Sequence, residues 1–322
     1  MKDEITFPET LKEAIEYFAD DERAFDYMKS VRWPSGKVTC PRCGCEDVSF
    51  VSTRKLWTCK KCVTKKQFTI RVGTILEDSA IPYDTWICAF WMIANAKNGI
   101  SSYEIHRALG VTQKTGWFML QRIRLAMQSG TIEKLKGEVE ADETYIGGKA
   151  RNMNAKQRGR GRGRIGTGGM GKAIVMGLLE RKGKVKLKHI PNAKRGTVQY
   201  EIRQHVTPGS NVFTDALRSY NGLNSDYIHQ AIDHAKEYVR GNVHTNGLEN
   251  FWCLLKRCFK GTYVSVEPFH LFRYLDEQAF RFNEREDTDQ GRFVKVISGI
   301  IGKRLTYAEL IGKTGQATGL PA

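Results

Sequence analysis

The stretch Gly137-Glu-Val-Glu-Ala-Asp-Glu-Thr-Tyr-Ile-Gly-Gly148 decides how this chain reads. Val139 and Ala141 alternate with acids, the period-two pattern of a buried strand, and Asp142 sits inside it. Further along, Asn211-Val-Phe-Thr reads as a second short strand that ends at Asp215. His244-Thr-Asn-Gly-Leu-Glu-Asn-Phe-Trp-Cys-Leu-Leu-Lys-Arg257 reads as a helix. Glu249 and Lys256 lie seven positions apart on it and share a face. Carboxylates converging from two strands and a helix make an all-oxygen site suited to Mg²⁺. A chain with 35 acids offers many such triples, so spacing alone does not decide.

The cysteines supply context. Cys40-x-x-Cys43 is followed, after fifteen residues, by Cys59-x-x-Cys62, the spacing of a tetrahedral Cys₄ zinc site. Gly44 fits a tight knuckle after the first pair. Strand-like runs, Val48–Thr53 and Gln67–Val72, flank the second pair as in a zinc ribbon. A structural zinc can replace the core that so short a segment cannot build. Cys45 could substitute for Cys43 in a shifted register. Cys88, Cys253 and Cys258 lack metal-like spacing and read as core or helix-surface thiols. The opening Met1-Lys-Asp-Glu is not a signal peptide, so a reducing cytoplasm is expected in preference to disulfides.

Charge points to the partner. The net charge is +16. Residues 1–30 carry four basic and nine acidic side chains, so the remainder holds 47 against 26. A domain that basic expects a polyanion, DNA or RNA. The longest apolar run, Trp86–Ala96, is too short to span a bilayer, and no membrane role is expected.

The periodicity sets five segments. Residues 1–32 form an acidic head patterned as a helix, with Leu11, Ile15, Phe18, Phe25 and Met28 on one face. Residues 33–76 hold the ribbon. Residues 77–132 open with a buried helix from Pro82 to about Asn98 and continue as a helix-turn-helix-like pair. Ser101 or Ser102 caps its first helix, Gly110 turns the chain, and Thr112 caps the second. That second helix has a core stripe at Gly116, Leu120, Ile123 and Met127. Gln113, Lys114, Gln121, Arg122 and Arg124 fall largely off it, and Gln113, Lys114 and Arg122 are candidate DNA contacts. A plain helical hairpin with exposed charges would look the same.

Residues 133–290 change to strands and then alternate helix with strand, an α/β domain with a mixed sheet. Ala173–Leu179 and Lys184–Ile190 form a hairpin around Lys182-Gly183. Thr197–His205, Asn246–Phe259 and Pro268–Phe282 read as helices, and residues 291–322 as a tail. Between the first two strands lies Lys149–Lys172, with eight Lys or Arg, seven Gly and no acid. Arg158, Arg160, Arg162 and Arg164 alternate with glycine there, suited to neutralising phosphates beside Asp142.

Together these pieces resemble the zinc-ribbon DDE transposases of bacterial insertion sequences, the ISXO-like group. The matching stretches are Cys40-Pro-Arg-Cys-Gly, Trp57-Thr-Cys-Lys-Lys-Cys, Gln67–Trp86, Val139–Lys149, Val212–Tyr220 and His244–Arg257. The resemblance runs from about Trp33 to Asn283. It implies an RNase H-like catalytic core in which Asp142 and Asp215 sit on adjacent strands and Glu249 on a later helix, with Lys256 as the helix lysine. Asn246, one turn earlier, competes with Glu249 for the third place.

The implied activity is Mg²⁺-dependent nicking and strand transfer on element ends, by a homo-oligomer assembled on DNA in the bacterial cytoplasm. Two ions about 4 Å apart would suit such a displacement. Asp142 would bridge them, Asp215 and Glu249 would each hold one, and Lys256 would hold a phosphate. Glu143 should point away from the ions. Trp252 reads as core, and His244 as an assisting or capping residue. Two other readings stand beside this one: a DNA-binding regulator without cleavage, and an RNase H-type nuclease without strand transfer.

Overall fold

Strand β4, Glu138–Ile146, is the middle of a five-stranded sheet in the computed structural model, which describes residues 6–128, 133–147, 172–232 and 243–313. The chain divides into two units, residues 130–285 and residues 1–129 with 286–322. In the first of these β4 pairs antiparallel with β5, Ala173–Glu180, and β5 pairs with β6, Val185–Ile190. On its other side β4 runs parallel to β7, Asn211–Asp215, which runs parallel to β8, Ile228–Ile232. The spatial order is β6-β5-β4-β7-β8, a mixed sheet as expected. Strand β8 had no clear signal, because its burial is irregular at the sheet edge.

Alternation along β4 and β5 gives the sheet two unlike faces. Val139 and Ala141 join Met176 and Leu178 in one core, closed by Val198 and Ile202 of α6, Arg195–His205. Val175 and Leu179 face the other way. They pack on Leu248, Phe251, Trp252 and Leu255 of α7, Asn246–Cys258, and on Leu271 and Leu275 of α8, Leu271–Asn283. The outer edge of β6 is closed by a side chain. Asn283 accepts from Val185 N at 2.7 Å and donates to Val185 O at 3.1 Å, as a neighbouring strand would.

The other unit begins with two helices where one was expected, α1, Leu11–Phe18, and α2, Asp21–Arg32. Asp20 makes the break: its carboxylate accepts from Glu22 N and Arg23 N and starts a new helix. Phe18, Phe25 and Met28 are buried as expected, but Leu11 and Ile15 are exposed. The ribbon strands are β1, Val48–Val51, β2, Leu56–Cys59, and β3, Gln67–Phe68, in an antiparallel sheet. Trp57 of β2 stacks on Phe25 of α2 and meets Trp33 edge-on, which ties ribbon to helix.

Helix α3, Tyr83–Asn95, is buried and packs on α9, Asp289–Ser298, where Phe293 meets Trp91 at 4.8 Å. The described part of the expected tail, residues 291–313, therefore belongs with this unit. Helices α4, Ser102–Leu109, and α5, Gln113–Met127, are joined by a short turn at Gly110. Ser101 and Glu104 form a capping box, and Thr112 caps α5.

The charged flank expected on α5 is not a surface. Gln121, Arg122 and Arg124 are all buried. Arg122 donates to Ile75 O and Glu77 O, each at 2.7 Å, and lies over the Phe118 ring. Its role is to satisfy a buried loop, because α5 is packed by α3, α4 and α9 together. Of the candidate contacts on this helix, Lys114 is exposed and half-buried Gln113 donates to Ser102 Oγ. A four-residue helix, α10, Tyr307–Leu310, brings Tyr307 beside Lys114.

Candidate active site

Two neighbouring parallel strands line up the first two acids. The register Glu138↔Asn211, Val139↔Val212, Glu140↔Phe213, carried two residues on, sets Asp142 beside Asp215. Helix α7 packs on that face of β4. Its residues Glu249, Cys253 and Lys256 are exposed, while Leu248, Trp252 and Leu255 turn into the core. The face shared by Glu249 and Lys256 is thus present, and Asn246 is exposed on the same helix.

Electrostatics tie the acids together. Burial pushes the Asp142 carboxyl up to about 6, the indole of Trp252 and the backbone of Glu143 oppose this, and the charges of Asp215 and Glu249 add to it. A buried carboxyl raised further by two neighbouring acidic charges suits a cation. Their oxygens do not close into a single tight set. Among the described residues, the group whose ligand atoms all lie within 4.8 Å is the four thiols.

Glu143 lies on the other face with Tyr220, as alternation requires. Burial, together with Asp142 and Asp215, raises its carboxyl to about 7, with Tyr220 opposing.

The support around the acids was not read from the sequence. Glu140, two residues before Asp142 and on the same face, is buried and occupied on both oxygens. Oε1 accepts from Arg181 Nε at 2.9 Å, and Oε2 accepts from Leu248 N at 2.9 Å. Leu248 lies in the first turn of α7, where backbone N–H groups have no partner within the helix and a negative charge is favoured. Gly247 permits the approach, since a Cβ there would stand 2.8 Å from Glu140 Oε2. Arg181 also donates to His244 O at 2.8 Å, so His244 belongs to this clamp, with its Nδ1 3.4 Å from Glu140.

Trp252 is buried as expected, yet its indole N–H donates to Asp142 Oδ2 at 2.8 Å. Two acids on one face of a buried strand were the legible signal, because buried carboxylates must find donors.

The thiols of Cys40, Cys43, Cys59 and Cys62 converge in the other unit, with Sγ separations of 3.8, 3.6 and 3.5 Å for 40–62, 43–59 and 43–62. Four sulfurs bound at about 2.3 Å in a tetrahedron stand about 3.8 Å apart, so the set fits zinc. Burial works against ionising Cys59, but the backbone N–H groups of Cys62 and Lys61 bring it down to about 6. Cys45 stays outside the set. Its carbonyl accepts from Cys40 N and closes the knuckle. Arg158, Arg160, Arg162 and Arg164 lie outside the described residues.

Comparison with known proteins points to transposases in both units. Residues 134–283 match the ISXO2-like transposase domain, and residues 19–65 match the transposase zinc-ribbon domain. A protein of the transposable element ISH50 of Halobacterium salinarum is 30% identical over 256 residues, covering 76% of this chain and 84% of the relative. A transposase-like protein of Haemophilus influenzae is 34% identical over 107 residues, 33% of this chain and 86% of that protein. Such membership implies DNA as the partner and phosphodiester chemistry in general terms. The chain belongs to the ISXO2-like family of insertion-sequence transposases.

Proposed function

We propose that this transposase binds the ends of its element, nicks them to free 3′-hydroxyls and joins those ends to target DNA at Asp142, Asp215 and Glu249. The observation that carries the reading is the parallel register that puts Asp142 beside Asp215 under the helix bearing Glu249. The sheet order, an antiparallel three-strand meander followed by two parallel strands on the far side of its first strand, supports an RNase H-like core.

The acids would hold Mg²⁺, which supplies an activated nucleophile and stabilises the leaving oxygen when bound. Asp142, between the other two electrostatically, is the candidate to be shared by two ions. Lys256, exposed on the Glu249 face, would hold a phosphate as a point charge. The ribbon and the α4–α5 pair would recognise element ends, with Lys114 at the exposed start of α5. Arg158, Arg160, Arg162 and Arg164 would add phosphate contacts independent of sequence. Assembly as a homo-oligomer on DNA completes the proposal.

The test is a strand-transfer assay on element-end DNA with Asp142→Asn and Asp215→Asn. Loss of nicking and joining, with end binding retained, is the expected result. Full joining by either variant refutes the assignment.

A further inference from the structure

Asp142 holds its carboxylate between two donors. Oδ1 accepts the adjacent backbone N–H of Glu143 at 2.8 Å, and Oδ2 accepts the Trp252 indole N–H, also at 2.8 Å. The first bond is local to the strand. The second spans 110 positions of sequence and joins β4 to α7. An indole has one donor and no acceptor, so this bond commits its whole hydrogen-bonding capacity to the acid.

The neighbouring strand makes room for it. Gly177 of β5 is the register partner of Asp142, and a Cβ there would stand 2.6 Å from Trp252 Cζ2. Contact that close is far inside van der Waals distance, so any side chain at 177 displaces the ring. Trp252 therefore lies across β5 with its N–H aimed at Asp142. Three residues earlier on the same helix is Glu249, and the helix start is held by Glu140.

We infer that Trp252 is a positioning residue of the acid site, its indole N–H fixing the Asp142 carboxylate in one orientation and in register with the helix that carries Glu249. The inference rests on the proposed role of Asp142 as a metal ligand. Gly177 is the second half of the device, because it provides the space the indole occupies. Donors to a ligating carboxylate orient it, and losing one costs about 10- to 100-fold in metal affinity. A tryptophan serving only as apolar filling would affect stability and leave cation binding alone.

The experiment measures Mn²⁺ binding by paramagnetic resonance on the full-length, zinc-loaded chain, alongside thermal unfolding. Trp252 is replaced site-specifically by 3-benzothienylalanine, which exchanges the N–H for sulfur in nearly the same volume. Trp252→Phe and Asp142→Asn are measured beside it. The expected result is at least roughly tenfold weaker Mn²⁺ binding by the isostere, with an unfolding midpoint close to the unmodified chain. If Trp252→Phe fails to fold, the isostere decides alone. Unchanged Mn²⁺ binding by the isostere, with binding lost in Asp142→Asn, overturns the positioning role and leaves the metal reading intact. Unchanged binding by Asp142→Asn overturns the metal reading, and this inference falls with it.

Discussion

Glu140 Oε2 accepts the backbone N–H of Leu248 at 2.9 Å, joining the central strand to the first turn of the helix that bears Glu249. The other oxygen holds Arg181, whose side chain is only 12% exposed. Breaking a buried pair from one side costs about 3–5 kcal/mol where it strands the remaining charge, but here Arg181 keeps Glu138 at 3.4 Å. Glu140→Ala should therefore lower the unfolding free energy by less than that, by roughly 1–3 kcal/mol for the lost acceptor, and Glu140→Gln by less again, because the amide oxygen can still accept from Leu248. Urea denaturation of both variants checks this; equal, small losses would show that the clamp contributes little.

Zinc removal should act on the ribbon first. Trp57 lies two residues before Cys59 and is packed against Phe25 and Trp33. A strong chelator, or Cys59→Ser, should release about one zinc per chain. It should also shift tryptophan emission as Trp57 meets water. The sheet of the catalytic unit should remain folded. Metal analysis that finds no zinc in the purified protein contradicts the assignment.

The third acid is settled by a comparison within α7. Glu249→Gln should abolish strand transfer, and Asn246→Ala should leave it nearly unchanged. Lys256→Ala should reduce joining through substrate positioning, a milder effect than loss of an acid. Should Glu249→Gln join ends at the normal rate, the helix contributes no ligand there.

Lys114 and Arg122 separate a DNA contact from a structural cation. Lys114→Gln should lower the slope of log affinity against log salt by about 0.9 if it neutralises one phosphate. Arg122→Gln should leave that slope unchanged. It should destabilise the unit by roughly 1–3 kcal/mol, since Ile75 O and Glu77 O lose their donor. A salt slope altered by Arg122→Gln, in protein of normal stability, would return that residue to the DNA surface.

The glycine-arginine segment makes its own prediction. Replacing Arg158, Arg160, Arg162 and Arg164 by Gln should flatten the salt dependence by up to about 0.9 log unit per lost contact. The loss of affinity should be alike for element-end and unrelated DNA. A loss confined to end DNA would give these residues a role in sequence recognition.

Patterns that live in consecutive residues were legible directly. Cys40, Cys43, Cys59 and Cys62 carry the ribbon in their spacing, because each C-x-x-C turn brings two thiols together and two such turns complete one tetrahedral set. Val139 and Ala141 carry the strand around Asp142 in their period of two. Ser101 with Glu104, and Thr112, start helices through bonds reaching only three residues. Legibility failed where local pattern met long-range packing. Leu11 and Ile15 fit an apolar face but lie exposed, and one expected helix became two when the Asp20 carboxylate captured two backbone donors.

The sequence by itself determined the mixed α/β character, the thiol set and the acids that compete for the site, since each follows from residue type and short-range periodicity. Only the tertiary structure decided which of their neighbours serve them. Arg122 looked like a surface cation until α3, α4 and α9 closed around α5, and Trp252 looked like plain core until its N–H met Asp142. The roles of Glu140 and Gly177 had to wait for the same reason. A buried polar group is defined by the partner it finds, and here those partners lie 108 and 110 positions away in the chain.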